Sequence, residues 1–395
     1  MKNDHSTPKF LILALAFTTS IAVRAAKAEV EKSPAPPFLD LSASFDFYYQ
    51  ASPQGHSPSP APAGPRVMEG RYFDRNVNQM TLNMAEITVK KKVDKVSFQA
   101  GFAFGEMMDE LSGGGSQSVT GSGAGLNPTN AAANEPTRNI TQATVTYAPT
   151  DRLAITVGKF YSFVGLEATK AKDSWQYSRS YLYNYGPFWH QGMNVNGVIV
   201  PNQFSVTGYV LNGWDGRISA EQNRSATLGL NLNYTGIENL VVNYNYIGGI
   251  ESTGESRREA HELNATYTIS PAFAVAVDAL TGIQRNIVNV GNATWSGIAV
   301  YLKANVNNVY SISPRVEFFD DSAKGFAISG GFGAPGVKQN ITAYTLTNRF
   351  DLGHGLETRI EIRSDHSSSD EFFKAKDGGP SNHQESGTLA FLYAV

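Results

Sequence analysis

The chain has 395 residues, a formal net charge of −3 at pH 7 and no cysteine. A slightly acidic balance argues against nucleic acid as a partner, and without thiols stability must come from packing and hydrogen bonding alone. The 41% hydrophobic content excludes little, because transmembrane strands are only half apolar and average out like a soluble chain.

The first segment reads as an export signal. Lys2 and Lys9 precede an apolar run over 10–23, and Ala26-Lys27-Ala28 offers a small-residue cleavage site, so 1–28 is expected to be a cleavable signal peptide. That run is short for a membrane helix, and nothing after it approaches the ~20 consecutive apolar residues a spanning helix requires. Residues 29–37, with SPAPP at 33–37, form a short Pro-rich segment.

From residue 38 onward the periodicity is two, not 3.6. FLDLSASFDFYYQ (38–50) alternates apolar and polar side chains. MTLNMAEITVKK (80–91) does the same, with Met80, Leu82 and Met84 in phase before a one-residue slip to Ile87 and Val89 that predicts a bulge. KVSFQAGFAFGE follows the turn at Val93-Asp94. Strand pairs are then predicted around Pro149-Thr150-Asp151, Pro201-Asn202, Thr235-Gly236, Ser270-Pro271, Val306-Asn307-Asn308 and the turn at 352–355, with TLAFLYAV (388–395) as the last strand. The total is sixteen.

LETRIEIRSD (356–365) poses the question of orientation. Leu356, Thr358, Ile360, Ile362 and Ser364 share one face; Glu357, Arg359, Glu361, Arg363 and Asp365 share the other. A soluble sandwich would bury the apolar face, whereas a membrane barrel would turn it to lipid. The connections decide. One set runs from two to about five residues, and the other includes 51–78, 107–138, 162–190, 282–292, 321–339 and 367–386. Short turns at one end and long loops at the other predict an all-β, up-and-down antiparallel transmembrane barrel of about sixteen strands over 38–395, with lipid outside and water inside. Arg315, Glu317, Arg359 and Arg363 all fall on the polar phase. Tyr147, Trp214, Tyr234, Phe273, Trp295, Tyr310 and Phe318, near strand ends, are expected in interfacial girdles. The alternating aromatics of FLYAV at the C-terminus resemble the insertion signal of outer-membrane proteins, with Val395 in place of the usual Phe.

Five segments carry a family likeness. GKFYSFVGLE (158–167), YSRSYLYNYGPFWHQG (177–192), VLNGWDG (210–216), PRVEFFDD (314–321) and ETRIEIRSD (357–365), in that order and spacing, resemble the OmpL-like "beta-barrel porin-2" family across 38–395. The resemblance implies a bacterial outer-membrane porin, with no ligand chemistry to carry over residue by residue. PQGHSPSPAPAGP (53–65) and GGGSQSVTGSGAG (113–125) read as additions to the loops.

The third long connection, 162–191, is the candidate constriction. It carries Glu167, Lys170, Lys172, Asp173 and Arg179, expected to face Arg315, Glu317, Arg349, Arg359, Glu361 and Arg363 across the lumen. Rings of charge set ion selectivity and a narrowing sets size. The other reading has these charges pairing between strands and stiffening the wall. The expected partners are outer-membrane lipid and small hydrophilic solutes or ions, with a homo-oligomer, a trimer, as a further expectation. No cofactor or metal is expected: His366 beside Asp365 is the nearest approach to a catalytic dyad and GSGAGLN (121–127) lacks the Lys-Ser/Thr of a phosphate loop. A barrel-borne enzyme, or an adhesin or receptor working through the long loops, stands as the alternative.

Overall fold

A computed structural model describes residues 39–54, 66–111, 139–215, 225–251, 255–332 and 335–395. The expected signal peptide, the segment 29–37, all of 113–125 and most of 53–65 lie outside the described residues.

Sixteen antiparallel strands close into a barrel. They are β1 (Asp40–Ala51), β2 (Met80–Val93), β3 (Val96–Phe104), β4 (Ile140–Thr150), β5 (Leu153–Tyr161), β6 (Trp189–Val200), β7 (Phe204–Leu211), β8 (Thr227–Tyr234), β9 (Leu240–Ile250), β10 (Arg257–Ser270), β11 (Phe273–Ile287), β12 (Gly291–Asn305), β13 (Tyr310–Asp320), β14 (Asn340–Gly353), β15 (Leu356–Ser367) and β16 (His383–Ala394). Each strand pairs with its neighbours in sequence, and β1 pairs with β16 from Ser44↔Ala394 to Ala51↔Gly387, which leaves no open edge. In hydrocarbon only such a closed sheet satisfies every backbone group.

β15 answers the question of orientation. Ile360 and Ile362 are 48% and 59% exposed, whereas Arg359 and Glu361 are 1% and 2% exposed. Apolar side chains point away from the barrel and ionised ones point into it, the reverse of a soluble core. The same phase holds on β1, where Phe45, Phe47 and Tyr49 face out while Asp46, Tyr48 and Gln50 face in. Tyr147, Tyr234, Phe273 and Phe318 lie on the outer surface as expected.

The tight turns depend on residues that tolerate the left-handed region. Asp94, Asn202, Asn239 and His354 have φ of 51°, 59°, 63° and 52°, and short polar side chains at such positions cost little.

Three expectations are corrected. Residues 282–292 are not a long loop, because β11 runs to Ile287 and β12 begins at Gly291. Arg285, polar on the outward phase, and the exposed Asn286 break the alternation and hide that strand end. The slip in β2 is a bulge, with Asp46 opposite Met84 and Phe47 opposite Leu82, yet Met84 turns inward and packs with Phe73, Met107 and Met108. Trp214 and Trp295 are not in a girdle. They are 4% and 1% exposed inside the barrel, in contact with each other and with Phe332.

The long connections return inward. Residues 66–78 carry a short ribbon, Arg66–Val67 paired with Asn76–Val77; helix α1 (Glu106–Leu111) follows β3; and a second ribbon pairs Phe373–Lys374 with Pro380–Ser381. Loop residues Tyr185, Phe326, Ile328, Phe332 and Phe372 join inward residues Ile247, Trp295 and Phe319 in an apolar core inside the mouth of the barrel.

Candidate functional site

The connection between β5 and β6 is pinched at its base, where the Ser162 amide donates to the Phe188 carbonyl at 3.0 Å. From there it crosses the lumen. The Gly165 amide donates to Glu262 of β10 at 3.0 Å, and Gly165, at φ 112° beside the Tyr183 ring, occupies a conformation and a space that a Cβ would not fit. A single 3-10 turn covers Ala171–Asp173. Residues 176–180 lead into α2 (Tyr181–Asn184), whose N-cap Ser180 accepts from the Tyr183 amide at 3.1 Å.

The backbone of 176–180 lies outside regular structure, and the Tyr181 amide, the first of α2, has no intrahelical acceptor. Such groups are costly to bury unpaired. The wall supplies those partners by charge type. Carboxylates take the amides: Glu361 accepts from Tyr177 at 2.7 Å and from Ser178 at 3.0 Å, and Glu317 accepts from Tyr181 at 2.6 Å. Guanidiniums take the carbonyls: Arg359 donates to Gln176 at 2.9 Å, Arg315 to Ser178 at 2.9 Å and Arg363 to Arg179 at 2.6 Å. Charge-assisted bonds of this kind are about twice as strong as neutral ones. Lower down, Arg359 also reaches the Lys172 carbonyl at 3.4 Å, and the Lys172 ammonium caps the Gly355 carbonyl in the β14–β15 turn. The segment therefore runs along β15 from Arg363 down to the short-turn end of the barrel.

The charges are also balanced among themselves. Arg315 pairs with Glu167 at 2.6 Å and Glu317 at 3.2 Å, Arg363 with Asp365 at 2.7 Å, and Arg359 with Glu357 at 2.6 Å. Removing one member would leave an uncompensated buried charge.

Among the residues expected to face one another, Glu167, Arg315, Glu317, Arg359, Glu361 and Arg363 meet at this interface. Glu167 also accepts from the amide and hydroxyl of Ser180 at 2.7 and 2.6 Å. Lys170 reaches a different strand, pairing with Glu86 of β2. Arg179 folds back onto its own loop, donating to the Ala168 and Thr169 carbonyls at 2.7 Å each and lying 4.9 Å from the Phe73 ring centre. Arg349 makes no described bond to the loop, pairing instead with Glu357 at 2.7 Å and Asp351 at 3.6 Å. Asp173 is exposed. The reading in which charges face each other and the reading in which they brace the wall therefore both describe part of this arrangement; their commonest partner is the loop backbone itself.

Other anchors were missing from the sequence reading. Asp46 accepts from the Tyr177 hydroxyl and from Asn83, each at 2.8 Å. Arg71, from the 66–78 segment, pairs with Asp365 at 2.8 Å and Asp74 at 3.1 Å and is fully buried. Asp46 was visible as a charge on a polar phase; Arg71 sits in a stretch with no periodicity to mark it. Burial raises the Asp74 carboxyl above its usual range despite Arg71. Burial also pushes Asp321, in the loop after β13, up to about 6, although it accepts from the Ala327 and Ile328 amides at 3.1 and 2.8 Å.

No catalytic dyad forms at 365–366. Asp365 points into the lumen while His366 points outward, where it bonds Ser364 at 2.9 Å. Among the described residues no group of three or more His, Asp or Glu side chains is placed to hold a metal ion.

The barrel resembles solved outer-membrane proteins. The anion-selective porin of Comamonas acidovorans superposes with a TM-score of 0.57 at 10% identity, over 90% of this chain and 99% of that one. OmpT of Vibrio cholerae gives 0.56 at 11% identity, over 90% and 97%. The outer membrane channel DcaP of Acinetobacter baumannii gives 0.54 at 9% identity, over 90% and 97%. At such identities the likeness establishes the fold. No curated protein matches the chain. The model of the family described as "Putative beta-barrel porin-2, OmpL-like" matches residues 39–395. With a closed sixteen-stranded barrel, lipid-facing apolar side chains and a match along nearly its whole length, the chain belongs to this porin family and is an outer-membrane channel protein.

Proposed function

We propose that the protein carries small polar solutes passively across the outer membrane, with the 162–191 connection as the constriction in its lumen. The signal expected at 1–28 would direct export and be cleaved from the translocated chain. The observation that carries the reading is the fastening of 176–181 to the inner faces of β13 and β15 by Glu361, Glu317, Arg359, Arg315 and Arg363. A loop held across a lumen limits the size of what passes. No bond is made or broken in this process. OmpT of Vibrio cholerae has a trimer form, and a trimer is the assembly we propose here.

The test is planar-bilayer recording of the refolded protein. Discrete, ohmic conductance steps are expected. A barrel that inserts and folds, shown by heat-modifiable migration, yet never conducts would contradict the reading and turn attention to the surface loops.

A further inference from the structure

The inner wall is not uniform around its circumference. The charges on β13 and β15 are covered by the loop, with Arg315, Arg359, Glu317 and Glu361 all at 2% exposure or less. Six neighbouring strands on the other side, β4 to β9, hold one Lys, Arg, Asp or Glu among them. That residue is Lys159, buried with its ammonium 5.0 Å from the Trp189 ring centre.

In place of charge, this arc presents hydroxyls and amides. Thr146 and Thr156 bond across β4 and β5 at 2.9 Å, and Asn196 donates to Thr207 across β6 and β7 at 2.8 Å. Asn231 donates to Asn245 at 2.7 Å and Asn233 to Asn243 at 2.8 Å across β8 and β9. Each pair uses only part of its capacity: a carboxamide has two N–H donors and two acceptor lone pairs. Asn196, Asn231, Asn233 and Asn243 are half-buried rather than sealed, and no described hydrogen bond joins any of them to residues 162–188.

We propose that the aqueous path follows this neutral arc, and that the preferred solutes are small, uncharged and rich in hydroxyl groups, of the polyol or sugar class. The inference rests on the channel reading above and names the solute for it. A hydroxylated solute exchanges its water for amide and hydroxyl partners of both senses. The nearest carboxylate, Glu262, accepts from Asn245 and from the Gly165 amide and is 1% exposed. An ion shedding water beside the same wall therefore finds no exposed counter-charge, and neither sign is favoured.

The experiment uses the full mature chain in liposomes and planar bilayers. Swelling rates are compared for a neutral hexitol and for a monoanion and a monocation of similar size, and the reversal potential is read in a KCl gradient. Severalfold faster entry of the hexitol and a reversal potential near zero are expected. Asn243→Asp should displace the reversal potential toward cation selectivity and Asn243→Lys toward anion selectivity, with Asn233→Asp and Asn233→Lys as a second pair should the first fold poorly. Strong selectivity for one ion sign in the unaltered protein, or reversal potentials unmoved in folded, conducting variants, would overturn the neutral path while leaving the channel standing. Absence of both conductance and swelling would remove the channel reading and this inference together.

Discussion

The Glu361 carboxylate accepts the backbone amides of both Tyr177 and Ser178, at 2.7 and 3.0 Å, across 184 and 183 residues of sequence. One wall residue thus holds the middle of the run along β15, between the Gln176 carbonyl on Arg359 and the Arg179 carbonyl on Arg363. Its other described partner, the Thr347 hydroxyl at 2.7 Å, holds the carboxylate from the neighbouring strand.

Glu361→Ala should free this point. Each hydrogen bond to a charged group contributes roughly 1.5–3 kcal/mol, so the amides of Tyr177 and Ser178 should lose exchange protection and unit conductance should rise. Hydrogen–deuterium exchange resolved to 170–185 and single-channel recording check this. Glu361→Gln, which keeps an acceptor but loses the charge, should give a smaller change in both.

The Arg315–Glu167 pair, at 2.6 Å with both side chains nearly fully buried, calls for a double-mutant cycle. Glu167→Gln or Arg315→Met alone should cost roughly 3–5 kcal/mol, since each leaves the other charge uncompensated. The double variant should cost less than the sum. Additive losses in denaturant unfolding would show that the two do not act as a unit.

The outer surface makes a separate prediction. Ile360→Arg places a charge on the lipid face and should cost about 2–4 kcal/mol if the residue lies near mid-depth. Thr156→Arg, on the inner neutral arc, should cost less. Reversible unfolding from phospholipid vesicles measures both, and equal costs would contradict the assignment of the two faces.

Asp321 makes the mouth sensitive to acid. Its carboxyl, ordinarily near 3.8, is pushed up to about 6 by burial. Between those values the folded loop binds a proton that the unfolded chain does not, so loop stability falls as pH rises through that window. Exchange protection at Ala327 and Ile328, corrected for intrinsic rates, should be greater at the acid side of the window than above it. Asp321→Asn should abolish the difference.

Much of the barrel was legible because alternation is a local property. β15 could be read residue by residue from LETRIEIRSD, and the turn at Pro201-Asn202 announced itself through a residue suited to positive φ. Misreadings arose where one local signal has two physical causes. Trp295 near a strand end looks the same whether it meets an interface or a lumen core, and only its phase with Ala293, Gly297 and Ala299 on β12 separates the two. The loop's charges were legible as a group, but their partners were not. Arg71 and Asp365 are 294 residues apart, and nothing local to either names the other. The neutral arc is itself written in the sequence, since β6 to β9 contain no Asp, Glu, Lys or Arg.

Recording from a chain in which residues 168–186 are replaced by a short Gly-Ser bridge tests the central claim most directly, that the loop fastened to β13 and β15 is what narrows the lumen. The barrel should still form, because its ladder does not depend on the loop, and unit conductance should rise severalfold over the unaltered protein. A folded, inserted variant that conducts no better than the original would contradict the account.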